Sequence, residues 1–256
     1  MTARKYGWKR DLPDFRDLHC SLVDGVMGYV WPSSVDLRKT GFMPAIYDQG
    51  QLGSCTGNGI AGAIEYDMAA QKLNVWQPSR LWIYYYERVL EGTVDTDSGA
   101  AIRDGFKVIN TNGYCSEATW PYDITQFTVE PNAEAKKEAK NDRVIKYQRV
   151  DQTFNALKGI LTHGHPIVFG ISVYESFESD SVASNGVVPM PSANEQLLGG
   201  HCIVLVGYND SKQLFTFRNS WGTSWGDAGY GYLPYSYVIN ANLASDFWIV
   251  LNEVDK

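Results

Sequence analysis

The hydrophobic period is mainly helical in the first half of this chain and mainly strand-like in the second, and that change restricts the fold more than any other feature of the sequence. From Ser54 onward Ile60, Ala61, Ile64, Met68 and Leu73 fall on one face of a helix, which predicts a helix from about Cys55 to about Leu73 with Ser54 as its N-cap. Ser79 to Leu90 and Ile102 to Asn110 read as two further helices. Beyond Tyr122 the pattern turns to strands. "VIKYQRV" alternates, while "PIVFGISVY", "HCIVLVGYN" and "QLFTFRNSWG" are short apolar runs rich in β-branched and aromatic residues. Gln152 to Leu161 adds a helix, and the charged "PNAEAKKEAKND" a short one whose outer face is solvated. Helices first and strands second, without an internal repeat, predict an α+β chain with a cleft at the seam.

The 256 residues suffice for one large domain or for two lobes sharing an interface. Residues 1–31 stand apart: Lys, Arg, Asp and single aromatics follow neither period and end at Trp31-Pro32, which reads as an extended arm. The charged start "MTARKYGWKRDLPDFRDLHC" has no apolar segment of a secretory leader, an expectation that leans toward the cytoplasm or leaderless export. No apolar run approaches a membrane span. A net charge of −7 argues against nucleic acid or an anionic membrane as the main partner. Cys20, Cys55, Cys115 and Cys202 form no tight spacing pattern, which argues against a disulfide scaffold and against a structural zinc site.

The stretch "DQGQLGSCTGNG" puts Cys55 directly after glycine-rich backbone and at the start of a helix. Gly57 and Gly59 weaken the first turns by roughly 1 kcal/mol each relative to Ala, so close approach of a substrate or a second lobe must gain from their small size. Cys55 is then either a small buried apolar residue or a nucleophile whose thiolate the helix N-terminus favours. Among the four histidines, His19 lies in the arm, and His163 and His165 flank Gly164 in a surface turn with no cluster of metal ligands around them. His201 differs, because it follows two glycines and opens the apolar run "HCIVLVGY". Downstream, "RNSWGTSWGDAGYGYL" supplies Asn219, Trp221 and Trp225.

In chain order Gln49, Cys55, His201 and Asn219 resemble the catalytic set of the papain-like cysteine peptidases. The resemblance also covers "PSSVDLR", "GYCSEATWPY" and "ASDFWIVL", and so spans roughly Pro32 to Leu251. Two positions depart from the family pattern. Leu52 stands where the family usually has a disulfide-bonded cysteine, and Thr56 where it usually has Trp after the nucleophile.

The resemblance implies a two-lobed fold, with a helical lobe over about 32–122, a β-barrel-like lobe over about 123–256 and the cleft between them. It implies a cysteine endopeptidase, without cofactor, acting on peptide or protein. Cys55 would attack as a thiolate paired with the His201 imidazolium. Gln49 and the Cys55 backbone N–H would hold the oxyanion, Asn219 would orient His201, and Trp221 would shield that bond. Ser98 and Gly99 would pair with substrate backbone. Ala101, Gly170, Gly200, Cys202 and Ser245 would surround the pocket for the second residue before the scissile bond, their small side chains leaving room for a large apolar one.

The arm would act as an inhibitory prosegment laid through the cleft. Thirty extended residues reach about 100 Å, against a radius of gyration near 17 Å for a domain of this size, roughly, so reach is no obstacle. Tyr6, Trp8 and Phe15 would fill subsites, and packing on the back of a lobe is the other reading. Two alternatives to the peptidase are an amidase or transpeptidase on the same machinery and a peptide-binding module without turnover.

Overall fold

The computed structural model describes residues 4–20, 30–142, 144 and 146–251. Parts of the expected arm, residues 1–3 and 21–29, and positions 143, 145 and 252–256 lie outside the described residues. In chain order the elements are β1 (Trp8–Lys9), β2 (Ser34–Asp36), α1 (Cys55–Ala70), α2 (Arg80–Leu90), β3 (Ala100–Ala101), α3 (Ile102–Thr111), α4 (Ala133–Glu138) and β4 (Lys146–Arg149). They continue as α5 (Phe154–Thr162), β5 (Ile167–Tyr174), α6 (Asp180–Asn185), β6 (Leu197–Asn209), β7 (Leu214–Arg218), β8 (Tyr230–Pro234), α7 (Tyr235–Val238) and β9 (Ala244–Leu251). The chain is α+β, and each helix expected from the sequence is present within a few residues of its expected bounds.

Helix α1 is the axis of the molecule. From Cys55 to Met68 every residue except Glu65 is buried, as happens to a helix packed on all sides. Its glycines let both neighbours close on it. A Cβ at Gly57 would sit 2.6 Å from the Arg80 carbonyl at the start of α2, and one at Gly59 would sit 3.1 Å from the Cys202 sulfur on β6. The close approach that these two glycines predict is therefore made by protein on both sides. Ser54 occupies the N-cap position, yet its hydroxyl does not cap. It hydrogen-bonds Tyr122 instead and accepts from Asn58 Nδ2 at 3.1 Å.

Opposite the helices lies a seven-stranded sheet in the order β4-β9-β5-β6-β7-β8, with β2 also paired to β6. All of its pairings are antiparallel. Two segments pack across the seam from their sequence neighbours. Strand β2 joins the sheet, although the helices follow it. Residues 133–142 return to the helical side, where Tyr114 N–H donates to the Asp142 carbonyl at 3.0 Å and Ser116 N–H to Glu138 at 2.8 Å.

The described part of the arm lies in the seam itself. Strand β1 pairs with β3 in parallel, Trp8 against Ala100 and Lys9 against Ala101. Further on, Arg149 N–H donates to the Leu18 carbonyl at 2.7 Å and Cys20 N–H to the Arg149 carbonyl at 2.8 Å, so the arm continues along β4.

Candidate active site

Gln49 and Cys55 approach the seam from the helical side. Cys55 is the first residue of α1, where the helix N-terminus contributes its partial positive charge. The Gln49 amide is held at both ends: Oε1 accepts from the Ser220 hydroxyl at 2.7 Å, while Nε2 donates to the Leu52 carbonyl at 2.9 Å and to the Lys5 carbonyl at 3.1 Å. Thr56 donates to Glu87 at 2.7 Å, and burial raises that carboxyl to about 8. The position therefore carries a polar buried contact in place of an aromatic ring.

His201 and Asn219 come from the sheet. His201 lies on β6 opposite Ile171 of β5, and Asn219 directly follows β7. His201 Nε2–H donates to Asn219 Oδ1 at 2.8 Å, and that oxygen also accepts from the Ser220 N–H at 2.8 Å. This fixes the neutral ring as the Nε2–H tautomer. Nδ1 is then a bare base, buried and without a hydrogen-bond partner among the described residues. Trp221 stacks on the imidazole with ring centroids 4.8 Å apart and is 1% exposed, which keeps water from the His201–Asn219 bond.

The arm seals these groups, so that Gln49, Cys55 and His201 are each 0% exposed. Arg4 lies over the Trp221 ring, and Tyr6 packs edge-on to His201 with its hydroxyl bonded to Glu178. Gly7 accepts from the Ala100 N–H at 2.7 Å. Burial drives both reactive groups toward their neutral forms. It pushes the Cys55 thiol up to about 12, against backbone hydrogen bonds from Cys202, Gly7 and Thr56 that pull it down. It lowers the His201 imidazole to about 4, with the Asn219 hydrogen bond opposing and the Arg4 charge assisting.

Four of the five residues expected around the pocket are neighbours on the sheet, while Ala101 lies on β3 against Lys9 of the arm. Gly170 pairs with Cys202 on one side and Ser245 on the other, and Gly200 lies two residues before Cys202 on β6. The Trp8 indole lies on them: a Cβ at Gly170 would stand 1.9 Å from Trp8 Cε2, and one at Gly200 2.8 Å from Cε3. Gly99, at φ 70°, faces the arm, because a Cβ there would meet the Gly7 carbonyl at 2.1 Å. Ser98 contacts the arm through Lys9 Nζ at 3.3 Å, and Ala101 N–H is committed to Glu91 at 2.7 Å.

Three positions escape the sequence reading: Ala100, whose N–H pairs with the arm, Ser220, which orients Gln49, and Asp246, whose Oδ2 accepts from Trp8 Nε1 at 3.2 Å. Each lies beside a residue that is legible in the sequence, and that adjacency is the signal available. His163 makes a local contact, its Nδ1 lying 2.8 Å from the Gly159 carbonyl of α5.

Residues 31–247 match the family described as papain family cysteine protease. The structure of xylellain, a cysteine protease from Xylella fastidiosa, superimposes with a TM-score of 0.89 at 39% identity, covering 99% of both chains. Digestive procathepsin L 3 of the Tenebrio molitor larval midgut shares the fold, with a TM-score of 0.71 at 20% identity over 97% of this chain and 76% of that one. By sequence, an uncharacterized peptidase C1-like protein of Acanthamoeba polyphaga mimivirus is 42% identical over 99% of this chain and 88% of its own. Mouse (Mus musculus) cathepsin K is 30% identical over 79% of this chain and 59% of its own length.

Proposed function

Since this chain belongs to the papain family of cysteine proteases, we propose that it hydrolyses peptide bonds through Cys55 and His201, and that its own N-terminal arm holds it latent. With the cleft open, His201 Nδ1 takes the Cys55 proton and the sulfur attacks a peptide carbonyl carbon. The tetrahedral oxyanion accepts from Gln49 Nε2 and the Cys55 backbone N–H, each such donor being worth about 3 kcal/mol. Collapse breaks the C–N bond as His201 returns the proton to the leaving amine. Water, deprotonated by His201, then cleaves the thioester and restores the thiol. Asn219 holds the ring in the tautomer that leaves Nδ1 free for both transfers. Ser98, Gly99 and Ala100 line the backbone-pairing edge, and Gly170, Gly200, Cys202 and Ser245 line the pocket for the second residue before the scissile bond.

One observation carries the latent state: the Lys5 carbonyl already occupies the Gln49 amide, while Trp8 occupies the pocket. In a substrate, the residue in that pocket precedes the carbonyl under attack. In the arm it follows the carbonyl at Gln49, so the arm runs in the opposite direction. The Gly7 backbone N–H is among the groups that pull the Cys55 thiol down against its burial.

The test uses the full chain, the same chain opened by Trp8→Ala with Asp11→Ala, and Cys55→Ala of each. A thiol-directed peptidyl epoxide should label the opened chain at least tenfold faster than the wild type. Peptide cleavage should rise in parallel and vanish with Cys55→Ala. Equal labelling of wild-type and opened chains would remove the latent reading, and labelling without cleavage would remove the peptidase reading.

A further inference from the structure

The floor of the pocket that Trp8 fills is a carboxylate. Asp246 is 2% exposed, and its two oxygens face different ways. Oδ1 accepts from Arg149 Nη2 at 2.9 Å, inside the protein. Oδ2 accepts from Trp8 Nε1 at 3.2 Å and from the Asp11 N–H at 2.8 Å, both donors belonging to the arm.

The backbone is built to aim this side chain. Between the pairs Gly170–Ser245 and Val168–Trp248, β5 has one residue and β9 has two, so Asp246 and Phe247 form a bulge. Asp246 sits there at φ 60°, the left-handed conformation that such bulges usually give to glycine. A residue with a side chain persists in that conformation when its surroundings hold it there, as happens at functional positions.

When the arm leaves, both donors to Oδ2 leave with it, and a buried acceptor without a donor is costly. A side chain entering from a substrate restores the bond only if its tip carries a donor. The charges decide which kind. Arg149 keeps Asp246 but loses its bonds to Asp11 at 3.3 Å and Asp17 at 3.2 Å, and Arg103 loses its Asp17 partner at 2.6 Å. Departure of the arm also frees Glu91 from Lys9 at 2.7 Å, so what stays fixed at the pocket itself is the Arg149–Asp246 pair at 2.9 Å. That guanidinium already answers the carboxylate's charge, so a neutral N–H is enough to satisfy Oδ2 and a second cation has no unpaired charge to meet there.

We propose that Asp246 is the specificity-determining residue of this pocket and selects, at the second residue before the scissile bond, a large apolar side chain with a neutral N–H donor at its tip, which is tryptophan. This narrows the preference for a large apolar side chain expected from the small lining residues alone. It rests on the reading of the arm as the occupant of the substrate cleft.

Two measurements test it. In the first, the opened chain (Trp8→Ala, Asp11→Ala), titrated by active-site label, cleaves blocked X-Arg aminomethylcoumarides with Trp, Phe, Leu or Arg at X. The kcat/KM for Trp should exceed that for Phe at least tenfold, because the two differ at the donor, and should exceed that for Arg. Adding Asp246→Ala should bring Trp and Phe within threefold of each other. Phe equal to Trp, or Arg ahead of Trp, overturns the proposal.

The second measurement needs no turnover. In the full chain, Trp8→Phe should speed iodoacetamide labelling of Cys55 about tenfold, and in an Asp246→Ala background the same change should have less than a twofold effect. Equal effects in both backgrounds overturn it. A chain that cleaves no peptide yet shows this coupling loses the peptidase reading and keeps the pocket assignment.

Discussion

Gln49 could turn either end of its amide toward the cleft, and only the Nε2 end can donate to an oxyanion. The Ser220 hydroxyl, donating to Oε1 at 2.7 Å, selects the useful end. Losing a neutral hydrogen bond of this kind costs about 1 kcal/mol, and losing the oxyanion donor itself costs about 3 kcal/mol. In the opened chain, Ser220→Ala should therefore lower kcat roughly fivefold with KM little changed, since 1 kcal/mol is about that factor. Gln49→Ala should lower it about a hundredfold. Because Ser220 acts through Gln49, adding Ser220→Ala to Gln49→Ala should cost nothing more, and additive losses would place Ser220 in another role. Ser220 also marks the limit of what is legible in the sequence. Gln49, Cys55, His201 and Asn219 stand out in the sequence because the acyl transfer proposed for them calls for those residue types, and four in the family's order are hard to produce by accident. A serine or an aspartate serves too many purposes to be singled out until a tertiary partner is known, so Ser220 and Asp246 stayed hidden beside Asn219 and Ser245.

The same limit applies to elements. Long helices with a 3.6-residue stripe and strands of eight or more residues announce themselves, as α2, β5 and β6 did. Strands β1 and β3 are two residues each and carry no period, so the sequence showed an arm without showing what it pairs with. What holds the arm down is equally tertiary. Asp11 accepts from Trp248 Nε1 at 2.9 Å, from the Arg103 N–H at 3.2 Å and from Arg149 at 3.3 Å, whereas the Asp14 carboxylate is hydrogen-bonded to its near neighbour Arg16 at the surface. Buried charge-assisted bonds are worth about 1.5–3 kcal/mol, and an exposed local pair little. Asp11→Ala alone should accordingly raise the rate of Cys55 alkylation in the full chain by about tenfold or more, while Asp14→Ala should leave it within about twofold. A comparable rise from both would mean that the arm is held by general charge rather than by the Asp11 contacts.

At the scale of the molecule, the change of period near the middle of the chain was enough for the α+β class, because helices and strands must each bury a face and the two sets meet once. The crossings were not legible: β2 lies on the sheet and residues 133–142 on the helical side, since a short segment's packing partner is chosen by space left open elsewhere. The seam created by that meeting has two electrostatic states. With the arm in place, burial lifts the thiol to about 12 and drops the imidazole to about 4, so between those values Cys55 is a thiol and His201 a neutral base. The signs follow from burial, which disfavours the charged form of each. On the proposed mechanism, water returns as the arm leaves, the helix N-terminus and the neighbouring charge favour thiolate and imidazolium together, and a proton passes from sulfur to Nδ1. The absorbance of thiolate near 240 nm, taken as the difference from Cys55→Ser, should thus be missing from the full chain from pH 5 to 9. In the opened chain it should be present at neutral pH, and His201 Cε1 should report a protonated ring by carbon NMR there. Both signals should fall together on acidification as the sulfur takes a proton. Identical titrations of the closed and opened chains would show that the arm blocks access without changing the charge state of the pair.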